Sequence, residues 1–182
     1  MPVLVTHQAQ EVRGEPTSPA LTIRISAGRG TGRTRLAAFD AALRDAGVGD
    51  FNLIRLSSVI PPHSKVLEVE DSEQVVGGHG DRLYCVYAEA YASNPQEQAW
   101  AGVAWSTHDD RSGAGLFVEH AGSSQQSVEH ELQLSLSDLS TGRGGRFVNT
   151  GQKVTSIDCV DHPVCAVVIA TYRSTPWSDH GC

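Results

Sequence analysis

Asn52-Leu53-Ile54-Arg55-Leu56-Ser57-Ser58-Val59-Ile60-Pro61-Pro62 is the stretch on which the reading of this chain turns. Phe51 to Leu56 has the composition of a short strand, and the double proline stops it, because proline has no N–H to give a ladder. The two adjacent serines are more than a strand end needs. Alone, a Ser-Ser pair says nothing, since serines are common at strand ends and so short a motif arises by chance. Its surroundings decide.

Upstream, Leu21-Thr22-Ile23-Arg24-Ile25 alternates as a strand does, and Gly28-Arg29-Gly30-Thr31-Gly32 predicts a flexible loop. Leu36, Phe39 and Leu43 recur at helical spacing, which predicts a buried stripe with Asp40 on or beside it and Gly47 placed to end the helix. Gly49-Asp50 is a turn. Downstream, strands are predicted over 65–70, 83–92, 99–106, 115–121, 154–159 and 164–172, with a surface loop over 71–80 and a hairpin loop at Asp109-Asp110-Arg111-Ser112-Gly113. Ser123 to Leu139 predicts a second helix, with a Ser123–Gln126 capping box and an apolar face of Val128, Leu132, Leu136 and Leu139. Two helices that each follow a strand, among strands able to pair antiparallel, define an α+β fold with helices covering sheet faces. Residues 1–19 are polar, with three prolines, and are expected to be a flexible tail, leaving 20–182 as a single domain.

Composition narrows the function. The 182 residues are 40% hydrophobic and 19% charged, as in soluble globular chains. A net charge of −7 and the lack of any basic run argue against nucleic acid. No apolar segment approaches the roughly 20 residues of a membrane span, and no basic region followed by an apolar core marks a signal peptide. Cys85, Cys159, Cys165 and Cys182 are too few to staple a chain this long, which points to a reducing, cytoplasmic setting.

Several constellations give way to plainer readings. The glycines of 28–32 lack the GK[ST] ending of a phosphate loop and the third glycine of a dinucleotide fingerprint. Cys159, His162 and Cys165 lack a fourth ligand, so no metal is expected. His130-Glu131 has no second histidine at metalloprotease spacing, and reads as an exposed helix pair. His120, next to Glu119 on a strand, must face the other way. Trp100, Trp105 and Trp177 read as core or subunit-contact residues.

The block from Leu36-Ala37-Ala38-Phe39-Asp40 through Ala46-Gly47-Val48-Gly49 and Asn52 to Ser57-Ser58 and Pro61-Pro62 resembles the processing segment of the pyruvoyl-dependent arginine decarboxylases. Gly115-Leu116-Phe117-Val118-Glu119, an apolar strand ending on a lone glutamate, is a second match. The resemblance implies an αββα sandwich of mixed and antiparallel sheets, and self-cleavage between Ser57 and Ser58 into chains of residues 1–57 and 58–182. The Ser58 hydroxyl would attack the Ser57 carbonyl in an N→O acyl shift. The ester would break by β-elimination, leaving dehydroalanine at 58. Tautomerisation and hydrolysis would then release ammonia and leave a pyruvoyl group. Asn52 would stabilise the oxyanion, and a turn forced by the prolines would strain the amide. The pyruvoyl ketone would form a Schiff base with L-arginine and act as electron sink, yielding agmatine, a polyamine precursor, and CO₂.

Further roles follow from the resemblance. Glu119 would be the general acid; ending an apolar run, it should be partly buried, and burial favours a protonated carboxyl. Asp40 would receive the substrate guanidinium, a fork-shaped donor that matches a carboxylate, although from spacing alone it could equally pair with Arg44 at i+4. Leu43, Gly49 and Phe51 would line the pocket, with Phe51 bulkier than the aliphatic residue expected there. The assembly implied is a homotrimer with sites between protomers. Two alternatives stand beside this reading: the same chemistry on another amino acid, and an unprocessed homologue serving as a binding or assembly protein.

Overall fold

The computed structural model describes residues 21–70, 73–110, 112–144 and 146–177; the expected flexible tail over 1–19 lies outside them. The elements run β1 (Thr22–Thr31), α1 (Arg35–Asp45), β2 (Asn52–Arg55), β3 (Val59–Ile60), β4 (Lys65–Glu68), β5 (Arg82–Ala92), β6 (Gln98–His108), β7 (Gly115–Gly122), α2 (Gln125–Arg143), β8 (Phe147–Asp158) and β9 (Val164–Thr175). One sheet has the order β2-β5-β9-β1-β4, and its β1–β4 and β2–β5 pairs are parallel while β9 runs antiparallel to both neighbours. The other, β3-β7-β6-β8, is antiparallel throughout. The sheets face each other, α1 covers β1 and β9, and α2 covers β6 and β7. This is the expected αββα sandwich.

Three apolar clusters hold the layers together. Ile23, Ile25, Val86, Val103, Phe117 and Val168 are among those that fill the space between the sheets. Ala38, Ala42, Leu43 and Ala46 seat α1 on Cys165, Val167 and Ile169, and Val128 and Leu132 seat α2 on Ala104, Leu116 and Val118. Alternation explains the division. Val86, Ala88 and Ala90 of β5 point between the sheets, while Leu83, Cys85, Tyr87 and Tyr91 point outward.

The predicted glycine loop is not a loop. β1 runs through it to Thr31, and its glycines let α1 press onto the strand. A Cβ on Gly28 would lie 2.0 Å from the Ala42 carbonyl oxygen, and one on Gly30 would lie 2.2 Å from that of Ala38. At that separation only methyl groups fit where the helix meets the glycines, and Ala38, Ala42 and Ala46 lie there. Leu43 is buried beside them, and Leu36, expected inside, is 76% exposed. Thr34 caps α1, its hydroxyl accepting from the Ala37 N–H, and Gly47 follows the helix at φ 77, a left-handed conformation that costs glycine nothing.

The second helix is also displaced. Its cap is Ser124, extended at φ −147 and accepting from the Ser127 N–H, in place of the predicted Ser123 box. It runs on to Arg143 past its apolar stripe, which leaves Leu139 43% exposed. β8 begins at Phe147, earlier than predicted, because its first half is a polar edge strand held by pairing to β6 and not by burial.

β2 and β3 belong to different sheets. Leu56-Ser57-Ser58 is therefore a crossover between the two layers of the sandwich. The strand expected over Phe51–Leu56 ends at Arg55, three residues before the serine that the sequence singles out, Ser58.

Candidate active site

At the crossover Ser58 adopts φ 65, in the left-handed region that non-glycine residues avoid. Such a conformation costs about 1–3 kcal/mol and persists only where its surroundings over-determine it. They do so on both sides. The Leu56 N–H donates to the Cys85 carbonyl at 2.8 Å, anchoring the chain to the first sheet. The Phe117 N–H donates to the Ser58 carbonyl at 2.8 Å, anchoring it to the second. Val59 and Ile60 then pair with Leu116 and Gly115.

Glu119 completes the centre. Phe117 and Glu119, two apart on β7, share the face that looks between the sheets, and the Ser58 hydroxyl donates to Glu119 Oε1 at 2.5 Å. Both residues are half-buried, while Ser57 is exposed. A carboxylate that accepts from a hydroxyl at this distance raises the nucleophilicity of the oxygen and can take its proton. The Ser57 carbonyl is adjacent in sequence. His120 faces the other way, as alternation requires, with Nε2 2.8 Å from Ser135 Oγ on α2.

Tyr172 of β9 was not singled out by sequence. It lies in the cluster between the sheets, 8% exposed, with its ring 6.1 Å from that of Phe117 in an edge-on arrangement. Its hydroxyl donates to the Val59 carbonyl at 3.0 Å. Burial, then the nearby charge of Glu119, pushes its phenol well above the ordinary tyrosine range. The one sequence trace was a polar-tipped residue closing the apolar run Val164–Ala170.

The other sequence-derived residues gather elsewhere. Asp40 is exposed on α1 and pairs with Arg44 Nε at 3.1 Å, the i+4 partner that spacing allowed. Gly49 lies under the stem of Arg44, and a Cβ there would come within 2.3 Å of Arg44 Cγ. Leu43 and Phe51 belong to the cluster beneath α1, and the Phe51 ring packs onto Gly77. The Asn52 amide donates to the Gly80 carbonyl at 2.6 Å. Among the described residues, no hydrogen bond or ion pair joins Asp40, Leu43, Gly49, Phe51 or Asn52 to Ser58 or Glu119. One set lies on the α1 side of the first sheet and the other at the crossover to the second.

The model of the pyruvoyl-dependent arginine decarboxylase family matches residues 22–173. The chain belongs to that family. A pyruvoyl-dependent arginine decarboxylase of Halobacterium salinarum is 46% identical over 99 residues, 54% of this chain and 59% of the relative. Pyruvoyl-dependent arginine decarboxylase 2 of Archaeoglobus fulgidus is 30% identical over 124 residues, 68% of this chain and 78% of the relative. The chain thus spans 59% of the length of the Halobacterium relative, less than two thirds. The solved structure of a pyruvoyl-dependent histidine decarboxylase is 14% identical, with a TM-score of 0.43 over 76% of this chain and 61% of that one.

Membership implies a pyruvoyl group bound covalently, and the residues present fit one. Ser58 would supply the carbon skeleton from its own backbone; its hydroxyl is on a carboxylate, and its backbone is held strained at a junction between layers. No helix among the described residues is long and apolar enough to cross a membrane.

Proposed function

We propose that this chain cleaves itself between Ser57 and Ser58 and that the product is a cytoplasmic carboxy-lyase converting L-arginine to agmatine and CO₂. The observation that carries this reading is the Ser58 hydroxyl on Glu119 Oε1 at 2.5 Å, with Ser58 left-handed between the sheets. Glu119 takes the hydroxyl proton as Ser58 Oγ adds to the Ser57 carbonyl. The amide N–C bond breaks as the ester forms, and β-elimination and hydrolysis with loss of ammonia complete the change. The two chains, 1–57 and 58–182, stay together because β1, β2 and α1 of the first are packed on β5 and β9 of the second.

Once formed, the pyruvoyl group would supply a ketone able to hold the substrate amine and an electron sink for the loss of CO₂. Glu119 is then the group placed to return a proton to the substrate's α-carbon. Asp40 receives the guanidinium, which must displace Arg44 from the carboxylate; that exchange is cheap because the Asp40–Arg44 pair is exposed. Leu43 and Phe51 form an apolar wall, and Gly49 leaves room beside it. Asn52 acts in processing once its amide leaves Gly80 for the Ser57 carbonyl.

A second copy of the chain closes the site. Asp40 and Ser58 lie on different layers of one protomer, so one protomer's α1 must meet a neighbour's crossover, as in a trimer. Support comes from the outer face of β5 beside α1. It presents half-buried Tyr87 and Tyr91 with Arg55 and Arg35 stacked on them at 4.7 and 4.9 Å, and exposed Ile54 lies next to it on β2. Aromatic and arginine side chains of this kind are enriched in protein interfaces.

The substrate is tested by offering a panel of amino acids and measuring CO₂ release. Release from arginine, with agmatine as product, supports the assignment. Release from another amino acid alone keeps the chemistry and discards Asp40 as a guanidinium site.

A further inference from the structure

Tyr172 stands out because its hydroxyl is in the wrong medium. It is buried among Ile23, Val86, Ala170 and Phe117 between the sheets, where phenylalanine would fill the same space and leave no polar atom to satisfy. The hydroxyl instead spans the gap between layers. It starts from β9 in the first sheet and ends on the Val59 carbonyl of β3 in the second, at 3.0 Å. β3 needs the help. It is two residues long, stopped by Pro61, and Val59 is 45% exposed, so ladder pairing and burial hold it weakly. Yet β3 is what fixes the C-terminal side of the left-handed Ser58.

We propose that Tyr172 is the positioning residue for self-cleavage: by holding the residue-59 carbonyl from across the sandwich, it keeps Ser58 left-handed with its hydroxyl on Glu119. This deepens the function proposed above and rests on Ser57-Ser58 being the processing site. The Phe117 N–H holds the carbonyl of residue 58 and Tyr172 that of residue 59, so two successive peptide units are clamped from opposite sheets. Without the second clamp, residues 57–60 relax toward ordinary backbone, and Ser58 Oγ leaves both its base and its target. Tyr172 touches neither, so it acts through backbone geometry and not as an acid or base.

The full chain is freshly expressed, and cleavage at 57/58 is followed by mass under denaturing conditions, for the parent, Tyr172→Phe and Leu132→Ala. Tyr172→Phe keeps the ring packing and removes only the hydroxyl; Leu132→Ala removes packing beneath α2, in a cluster apart from the crossover, and leaves both backbone clamps. The expected result is that Tyr172→Phe cleaves at least tenfold more slowly with an unchanged melting temperature, whereas Leu132→Ala melts lower and cleaves within a few-fold of the parent. Hydroxylamine, which cuts esters and spares amides, is expected not to accelerate Tyr172→Phe, because its block precedes ester formation. Parent-like cleavage of Tyr172→Phe overturns the proposal while leaving the processing site intact. So does equal slowing of both variants, which makes the effect one of stability, or a hydroxylamine-sensitive Tyr172→Phe, which moves its role to a later step. An uncleaved parent overturns both the proposal and the processing site on which it rests.

Discussion

Ser58 and Glu119 are far apart in sequence and bonded in the fold, and the two steps asked of the carboxylate follow from that one contact. Replacing Glu119 with glutamine keeps a hydrogen-bond acceptor and removes the base, so self-cleavage should slow by about 10²–10⁴-fold, the usual worth of a placed acid or base. A time course of chain fragments on a denaturing gel measures this directly. Cleavage at the parent's rate would relegate Glu119 to a structural acceptor. Local pattern alone left each residue open; both were singled out in the sequence through the resemblance to the family, Ser58 within the block that ends on Pro61-Pro62 and Glu119 at the end of Gly115-Leu116-Phe117-Val118. Tyr172 was not, because its importance lies in a hydrogen bond between strands that are distant in sequence. Nothing in Ala170-Thr171-Tyr172 distinguishes a tyrosine that crosses the sandwich from one that lies at its rim.

At the scale of elements, the informative failure is β1. Gly28, Gly30 and Gly32 satisfied every local rule for a loop, yet they are strand and strand end, chosen because α1 lies on them. Local composition cannot distinguish a glycine that frees the backbone from one that admits a neighbour. The consequence is measurable: Gly28→Ala puts a methyl group into the Ala42 carbonyl, and should cost at least about 2 kcal/mol in denaturant unfolding. A loss below half of that would mean α1 can lift from the strand. The central strands carry a second consequence. Burial pushes the Cys85 thiol up to about 12, and burial with the charge of Glu89 pushes Cys165 to about 12. Both thiols stay protonated in the fold while those of the unfolded chain ionise. Their contribution to stability is therefore whole below pH 9, the unfolded value, and is lost as pH rises from there to about 12. Melting temperature should fall across that window. In the native protein iodoacetamide should spare both cysteines at about pH 8.5, where free thiols react; rapid native alkylation would show that these strands open locally.

For the whole molecule, alternation and helix periodicity were enough for an α+β fold with helices covering sheet faces, because layer architecture follows from which faces are apolar, while the αββα sandwich came from the resemblance to the family. They could not show that β2 and β3 lie in different sheets, since the change of layer takes place over Leu56-Ser57-Ser58 with no change of composition. That crossover puts the serine and Asp40 on different layers of one protomer, and the proposed reading therefore makes the assembly part of the site. A mixing experiment follows. Asp40→Asn supplies a processed Ser58 without the guanidinium site, and Ser58→Ala supplies Asp40 without the ketone. Each alone should be inactive on arginine, and co-expression should restore a fraction of parent activity through sites that pair one chain's Asp40 with another's residue 58. Failure of the mixture to recover activity, with mixed oligomers shown to form, would place both residues of a working site in the same protomer.

The most direct measurement is the intact mass of the purified protein under denaturing conditions. The account predicts two chains, residues 1–57 and 58–182, the longer beginning with a ketone that reacts with a hydrazide, and neither chain from Ser58→Ala. A single unbroken chain with no reactive carbonyl would contradict it.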